Sequence, residues 1–108
     1  MKLACIFIPH FCFYIEMLRR VDIRKGSTVI IKTLGSRQIV VDCSPNLGRY
    51  SPGITLQEFL SRSETAHVIE ADDTTYREQW NSLLDSFGQK SPSVEDAGIG
   101  MAYIDLQG

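Results

Sequence analysis

The sequence predicts an α+β fold, on three observations. The chain opens on Leu3-Ala-Cys-Ile-Phe-Ile8, six apolar residues stopped by Pro9, which read as a strand. Tyr76, Trp80, Leu83, Leu84 and Phe87 recur at helical spacing and mark a long amphipathic helix. Short β-branched or alternating runs lie between and after these, so the order reads β-α-β-β-α-β-α-β-β, and the first and last strands can share one sheet.

The opening run reads as a strand buried on both faces, since every residue in it is apolar. Phe11 to Leu18 follows as a helix closed by Arg19 and Arg20, whose charges suit a helix C-terminus. A strand feeding directly into a helix sets the Phe7 to Phe11 corner at a sheet edge, where α/β proteins often bind ligands.

Val21 to Ser27 is a charged connector. Thr28–Lys32 and Gln38–Asp42 are β-branched runs around Gly35, predicting a hairpin with Lys32 and Arg37 near its tip. Ser44 to Gly53 holds two prolines and two glycines and reads as a loop or a short broken helix. Thr55-Leu-Gln-Glu58 matches a capping box, with Leu56, Phe59 and Leu60 as the apolar face of the helix it starts.

His67 to Glu70 reads as a strand, and Ala71-Asp-Asp-Thr-Thr75 as a helix start with acids favourably placed for the helix dipole. Gly88 ends that helix. Ser93 to Ala97 and Met101 to Leu106 form a closing hairpin turned at Gly98-Ile-Gly100.

With 108 residues, 44% apolar and 22% charged, the chain is long enough for one soluble domain with a modest core. No apolar run approaches the roughly 20 residues that span a bilayer, and there is no signal sequence, so no membrane and a cytoplasmic location are expected. Cys5, Cys12 and Cys43 are odd in number and widely spaced, which points away from a disulfide framework or a zinc site. Net charge is −2, yet residues 2–62 carry nine basic against four acidic residues and the remainder is acidic. One face can therefore meet a polyanion while the other stays in solvent.

Chemistry sought from residue types alone finds little. His10 and Cys12 share one corner but lack the further ligands zinc needs, and two residues apart on a helix they point away from each other. Gly98-Ile-Gly100 lacks the third glycine and following helix of a phosphate loop. Glu95 and Asp96, adjacent on a strand, face opposite ways and are a poor pair for one metal.

Motifs spread along the chain resemble the amino-terminal part of Y-family, translesion-type DNA polymerases. Phe11, Ile15 and Glu16 stand where that family's opening Asp-hydrophobic-Asp-x-Phe-Tyr-x-x-Val-Glu signature has Phe, Val and Glu. Ile23-Arg-Lys-Gly-Ser-Thr-Val-Ile-Ile31 is similar to its Leu-Lys/Arg-Gly-Lys-Pro linker and Val-Val-Val strand. Arg49-Tyr-Ser-Pro-Gly-Ile-Thr-Leu56 is similar to Gly-Val-x-x-Gly-Met-Pro-Leu. Tyr76 and Ser91-Pro-Ser-Val-Glu95 fall in the family's order, and Ala102-Tyr-Ile-Asp-Leu-Gln-Gly108 resembles Ser-x-Asp-Glu-Ala-Tyr-Leu-Asp-x-x-Gly.

The departures concern the metal ligands. Such polymerases join nucleotides by two-metal catalysis, with carboxylates from the first strand and the last hairpin holding magnesium. Here the resemblance puts Phe7 and Pro9 at the first-strand positions and Gly100 and Met101 at the Asp-Glu pair. Cys12 stands at the aromatic that screens out ribonucleotides, and of the triphosphate-binding Tyr-x-x-Arg only Arg49 has a counterpart. A polymerase scaffold without its metal ligands is similar to the ImuB-type polymerase-like proteins of bacterial mutagenic repair, non-catalytic adaptors of the SOS response.

The resemblance implies a partial polymerase palm, a mixed or antiparallel sheet with helices on one face. Residues 1–21 and 67–108 would form the palm parts, and 22–66 an inserted small fingers subdomain. It implies a pseudoenzyme that acts in DNA binding or mutasome assembly, without a cofactor. Lys32, Arg37 and Arg49 are the candidate DNA or nucleotide contacts, and no metal site is expected. Further partners, a polymerase or sliding clamp, would bind through regions beyond this chain. One alternative is an active nucleotidyltransferase using magnesium through displaced carboxylates such as Glu16, Glu95 or Asp105. Another is a protein-docking fragment, or a fragment dimer. Phe7 is expected to pack against Ile99 or Met101 as apolar filling.

Overall fold

The computed structural model describes residues 3–20, 26–51, 53–62, 66–89 and 93–105. Most of the charged connector, Ser91-Pro92 of one family motif, and the Leu106-Gln-Gly108 end of another lie outside the described residues. The elements are β1 (Leu3–Phe7), α1 (Phe11–Arg19), β2 (Thr28–Leu34), β3 (Arg37–Cys43), a 3-10 turn (Pro45–Leu47), α2 (Leu56–Leu60), β4 (His67–Glu70), α3 (Asp73–Gly88), β5 (Val94–Asp96) and β6 (Met101–Asp105). Type and order agree with the predicted β-α-β-β-α-β-α-β-β pattern.

Two compact units result, residues 1–11 with 72–108, and residues 12–71. The first holds an antiparallel sheet of order β1-β6-β5, in which Leu3 pairs with Asp105, Cys5 with Tyr103, Phe7 with Met101, and Glu95 with Tyr103. The opening and closing strands thus share one sheet.

Helix α3 is started by Asp72, whose carboxylate accepts from the Thr75 N–H at 3.1 Å. Its Trp80 is fully buried, makes an edge-to-face contact with Phe11 at 5.4 Å, and donates from Nε1 to Asp96 at 3.0 Å. Asp96 points to the face opposite Glu95, so α3 covers the Ala102 and Ile104 side of the sheet.

The other side of this sheet corrects two expectations. The opening strand is not buried on both faces: Leu3 is 61% and Phe7 65% exposed, and Cys5 between them is exposed as well. Phe7 lies across from Met101 in register but is not packed as apolar filling. The physical reason is that the unit's described helix packs on one face only, and among the described residues β1 has β6 as its one neighbour in the sheet.

The second unit holds a mixed sheet of order β3-β2-β4, with β2 antiparallel to β3 and parallel to β4. Strand β2 is central, so Thr28 to Ile31 are all buried. Val29, Ile31, Val40, Cys43, Ile54 and Phe59 form the core, with Leu56 and Leu60 packed against it.

Two polar devices tie the helices of this unit down. Buried Asp42 accepts from the Phe13 N–H at 2.8 Å, which caps the first turn of α1 from a neighbouring strand. Thr55 caps α2 as predicted, accepting from the Glu58 N–H at 3.2 Å, while its own hydroxyl meets the Glu58 carboxylate at 3.0 Å. The resemblance puts the inserted segment at 22–66, while the second compact unit runs over 12–71. Strand β4 lies with the second unit because it pairs with β2, and α1 beyond Phe11 lies there too.

Candidate functional site

The corner where the resemblance puts metal ligands is built in the first unit by β1, the turn that follows it, and the β5–β6 turn. The Ile8 N–H donates to the Gly100 carbonyl at 2.8 Å, locking the two turns together. His10 takes a positive φ of 58°, which lets the chain reverse directly into α1. Gly100 has a φ of 90°, and a Cβ built on it would sit 3.0 Å from the Ile8 carbonyl oxygen and 3.5 Å from Phe11 Cβ. No L side chain fits this backbone without strain. Phe7, Pro9, Gly100 and Met101 bring no carboxylate to the corner, so its side chains do not suit a hard cation such as magnesium.

The carboxylates considered as substitutes are dispersed. Glu16 is fully buried in the second unit, with Arg19 at 3.3 Å and Arg20 at 3.4 Å. Glu95 and Asp105 do come together in the first unit, where with Leu3, Ser93 and Tyr103 they line an open depression of about 460 Å³ on the exposed sheet face. Among the described residues no group of three or more His, Cys, Asp or Glu is placed to hold a metal ion.

Asp96, on the covered face, is held as an anion. The Trp80 indole, the Gly98 N–H and the Arg77 guanidinium at 2.6 Å all donate to it, and they lower its carboxyl below the usual range in that order of importance. This cluster clips the β5–β6 turn to α3 and, with it, fixes where Gly100 lies.

Of the candidate DNA contacts, the structure brings two together. Leu34 pairs with Arg37 across the hairpin, and Lys32 is two residues before Leu34, so Lys32 and Arg37 project from one face near the tip, both exposed. Arg49 is also exposed but lies at the other end of β3. Its loop is pinned there by the Tyr50 hydroxyl donating to the Val41 carbonyl at 2.7 Å and by the Cys43 thiol against the Gly48 carbonyl at 3.7 Å. Burial, reinforced by the nearby Asp42 charge, pushes Tyr50 up to about 12 and Cys43 up to about 11. Both stay neutral and act as anchors.

Sequence reasoning missed three features of importance. The Asp42 cap reaches across 29 residues and leaves no local motif. The Asp96 cluster joins residues 19 and 16 positions apart. The exposed face with Leu3, Phe7 and Tyr103 was hidden because both alternating sets of the opening strand are apolar. The polar Glu95 and Asp105 in the closing hairpin were the one available sign of it.

The profile of the impB/mucB/samB family matches residues 6–108. No curated protein matches. Among solved structures, DinB from Sulfolobus solfataricus is similar at a TM-score of 0.85 and 16% identity, over 98% of this chain and 32% of that one. A post-insertion binary complex of Dbh DNA polymerase gives a TM-score of 0.87 at 16% identity with the same coverage, 98% and 32%. A chimera of the Y-family DNA polymerases Dbh and Dpo4 gives 0.84 at 15% identity, again over 98% and 32%. The chain therefore spans about a third of the length of these polymerases and has the fold of their palm and fingers region.

Proposed function

Because the chain belongs to the impB/mucB/samB family, we propose that it is a non-catalytic Y-family DNA polymerase-like module of DNA repair and translesion synthesis, acting in DNA binding or mutasome assembly. In this reading the first unit derives from a palm and the second from fingers. The observation that carries it is the corner at Gly100. A change that merely deleted a carboxylate would leave a backbone able to take it back, whereas a φ of 90° and a Cβ only 3.0 Å from the Ile8 oxygen make any side chain strained here. Phe7 stands across from the neighbouring Met101, and without the ions nothing compensates the charge that develops in phosphoryl transfer.

DNA contact falls to the basic second unit, which has eight basic against six acidic residues, through Lys32 and Arg37 on one hairpin face and Arg49 at its far end. Primer extension with magnesium or manganese tests the non-catalytic part. No incorporation is expected from the chain or from a Phe7→Asp variant, because Gly100 still offers no partner carboxylate and a side chain there would be strained.

The enzyme reading keeps one specific observation in its favour, the shared depression of Glu95 and Asp105. Incorporation abolished by Asp105→Ala would establish it and overturn the proposal. Fluorescence anisotropy with primer-template DNA tests the binding part, and an affinity that does not fall as salt rises would sink it.

A further inference from the structure

We infer that the uncovered sheet face of the first unit is a docking surface for a basic protein segment with apolar flanks, and that it takes one cationic side chain into the depression beside Tyr103. The inference deepens the assembly role proposed above, and it rests on the non-catalytic reading in one respect only: no metal reverses the charge of this face.

Three observations support it. Leu3, Phe7 and Tyr103 are 61%, 65% and 40% exposed on adjacent, antiparallel strands, and with Cys5 they form a continuous apolar strip, the kind of exposed patch that marks an interaction surface. Second, the charged side chains among the described residues of this face, Glu95 and Asp105, are both acidic, and they line one depression of about 460 Å³ together with Leu3 and Tyr103. A lysine or arginine entering it lays its methylene stem on Leu3, its charge beside the Tyr103 ring, and its head near the carboxylates. Third, the unit as a whole has three basic against seven acidic residues, so its field attracts a cation and repels a nucleic acid backbone. The aromatic side chains alone would suit stacked bases; the charge decides for a cationic polypeptide.

The test uses the 108-residue chain and a short fluorescent peptide alternating arginine with leucine, with a glutamate-leucine peptide as control. The basic peptide is expected to bind and the acidic one not to. Glu95→Lys and Tyr103→Ser, both at exposed positions and checked for folding by circular dichroism, should each weaken binding by about tenfold. Bound peptide should also shield Cys5, in the middle of the strip, from alkylation, as read by mass spectrometry.

No binding, or binding that both variants leave unchanged, overturns the inference. So does a loss of primer-template DNA affinity in Tyr103→Ser, which would make the face a nucleic-acid surface. Light scattering that shows self-association abolished by the same two variants would assign the face to a second copy instead. Nucleotide incorporation in the separate primer-extension assay would sink the non-catalytic reading, not the peptide result.

Discussion

Gly100 and Asp96 hold the closing turn by different means, one steric and one electrostatic. Gly100→Ala forces a Cβ toward the Ile8 oxygen at a positive φ, and urea unfolding should show a loss of about 1–3 kcal/mol. The carboxyl of Asp96 is lowered in the folded chain, so its contribution to stability is fully present above the ordinary carboxylate range and is lost as pH falls through the lowered value. Unfolding measured between neutral pH and about pH 3 should therefore show an acid-side decline that Asp96→Asn flattens. The thiols separate in the same way: exposed Cys5 should alkylate first, while Cys43, buried and pushed up to about 11, should react last under native conditions. Residue identities were read from the sequence more easily than their surroundings. The resemblance puts Phe7 where a metal ligand would be, but no residue of β1 foretells its exposure, because burial depends on whether a second layer covers the sheet.

Helix α3 is the element on which the first unit depends. Trp80 is fully buried between Phe11 and Phe87, at ring distances of 5.4 and 6.4 Å, and its indole also holds Asp96. Trp80→Ala should cost about 3–5 kcal/mol by thermal or urea unfolding, at the upper end if Asp96 is left without its neutral donor. Each helix and strand was legible because its apolar spacing, cap or turn residue is local: Thr55 with Glu58, Asp72 with Thr75, Gly98 with Gly100. The pairing of β4 was not. Parallel pairing to β2 depends on residues 67–70 finding residues 28–31, and a four-residue strand carries no mark of its partner.

Across the whole molecule the near-neutral charge conceals an acidic first unit and a basic second one, a division already visible in the order of the residues. If DNA is met by the second unit, Lys32→Ala and Arg37→Ala should each flatten the salt dependence of binding by about one unit of slope, while Glu95→Gln on the other unit should leave the slope unchanged. The candidate contacts themselves were only partly legible. Lys32 and Arg37 share a face because a hairpin register sets them there, whereas Arg49 is separated from them by the length of β3.

The pairing of Leu3 with Asp105 also governs the order in which the chain can fold. The hairpin of β2 and β3 joins neighbouring residues and can close early, but among the described residues β1 pairs only with residues 101–105. During synthesis the opening strand must wait until residues 101–105 are made, while the second unit organises from the residues between. Pulse-labelled hydrogen exchange should accordingly find the amides of β2 and β3 protected before those of β1 and β6.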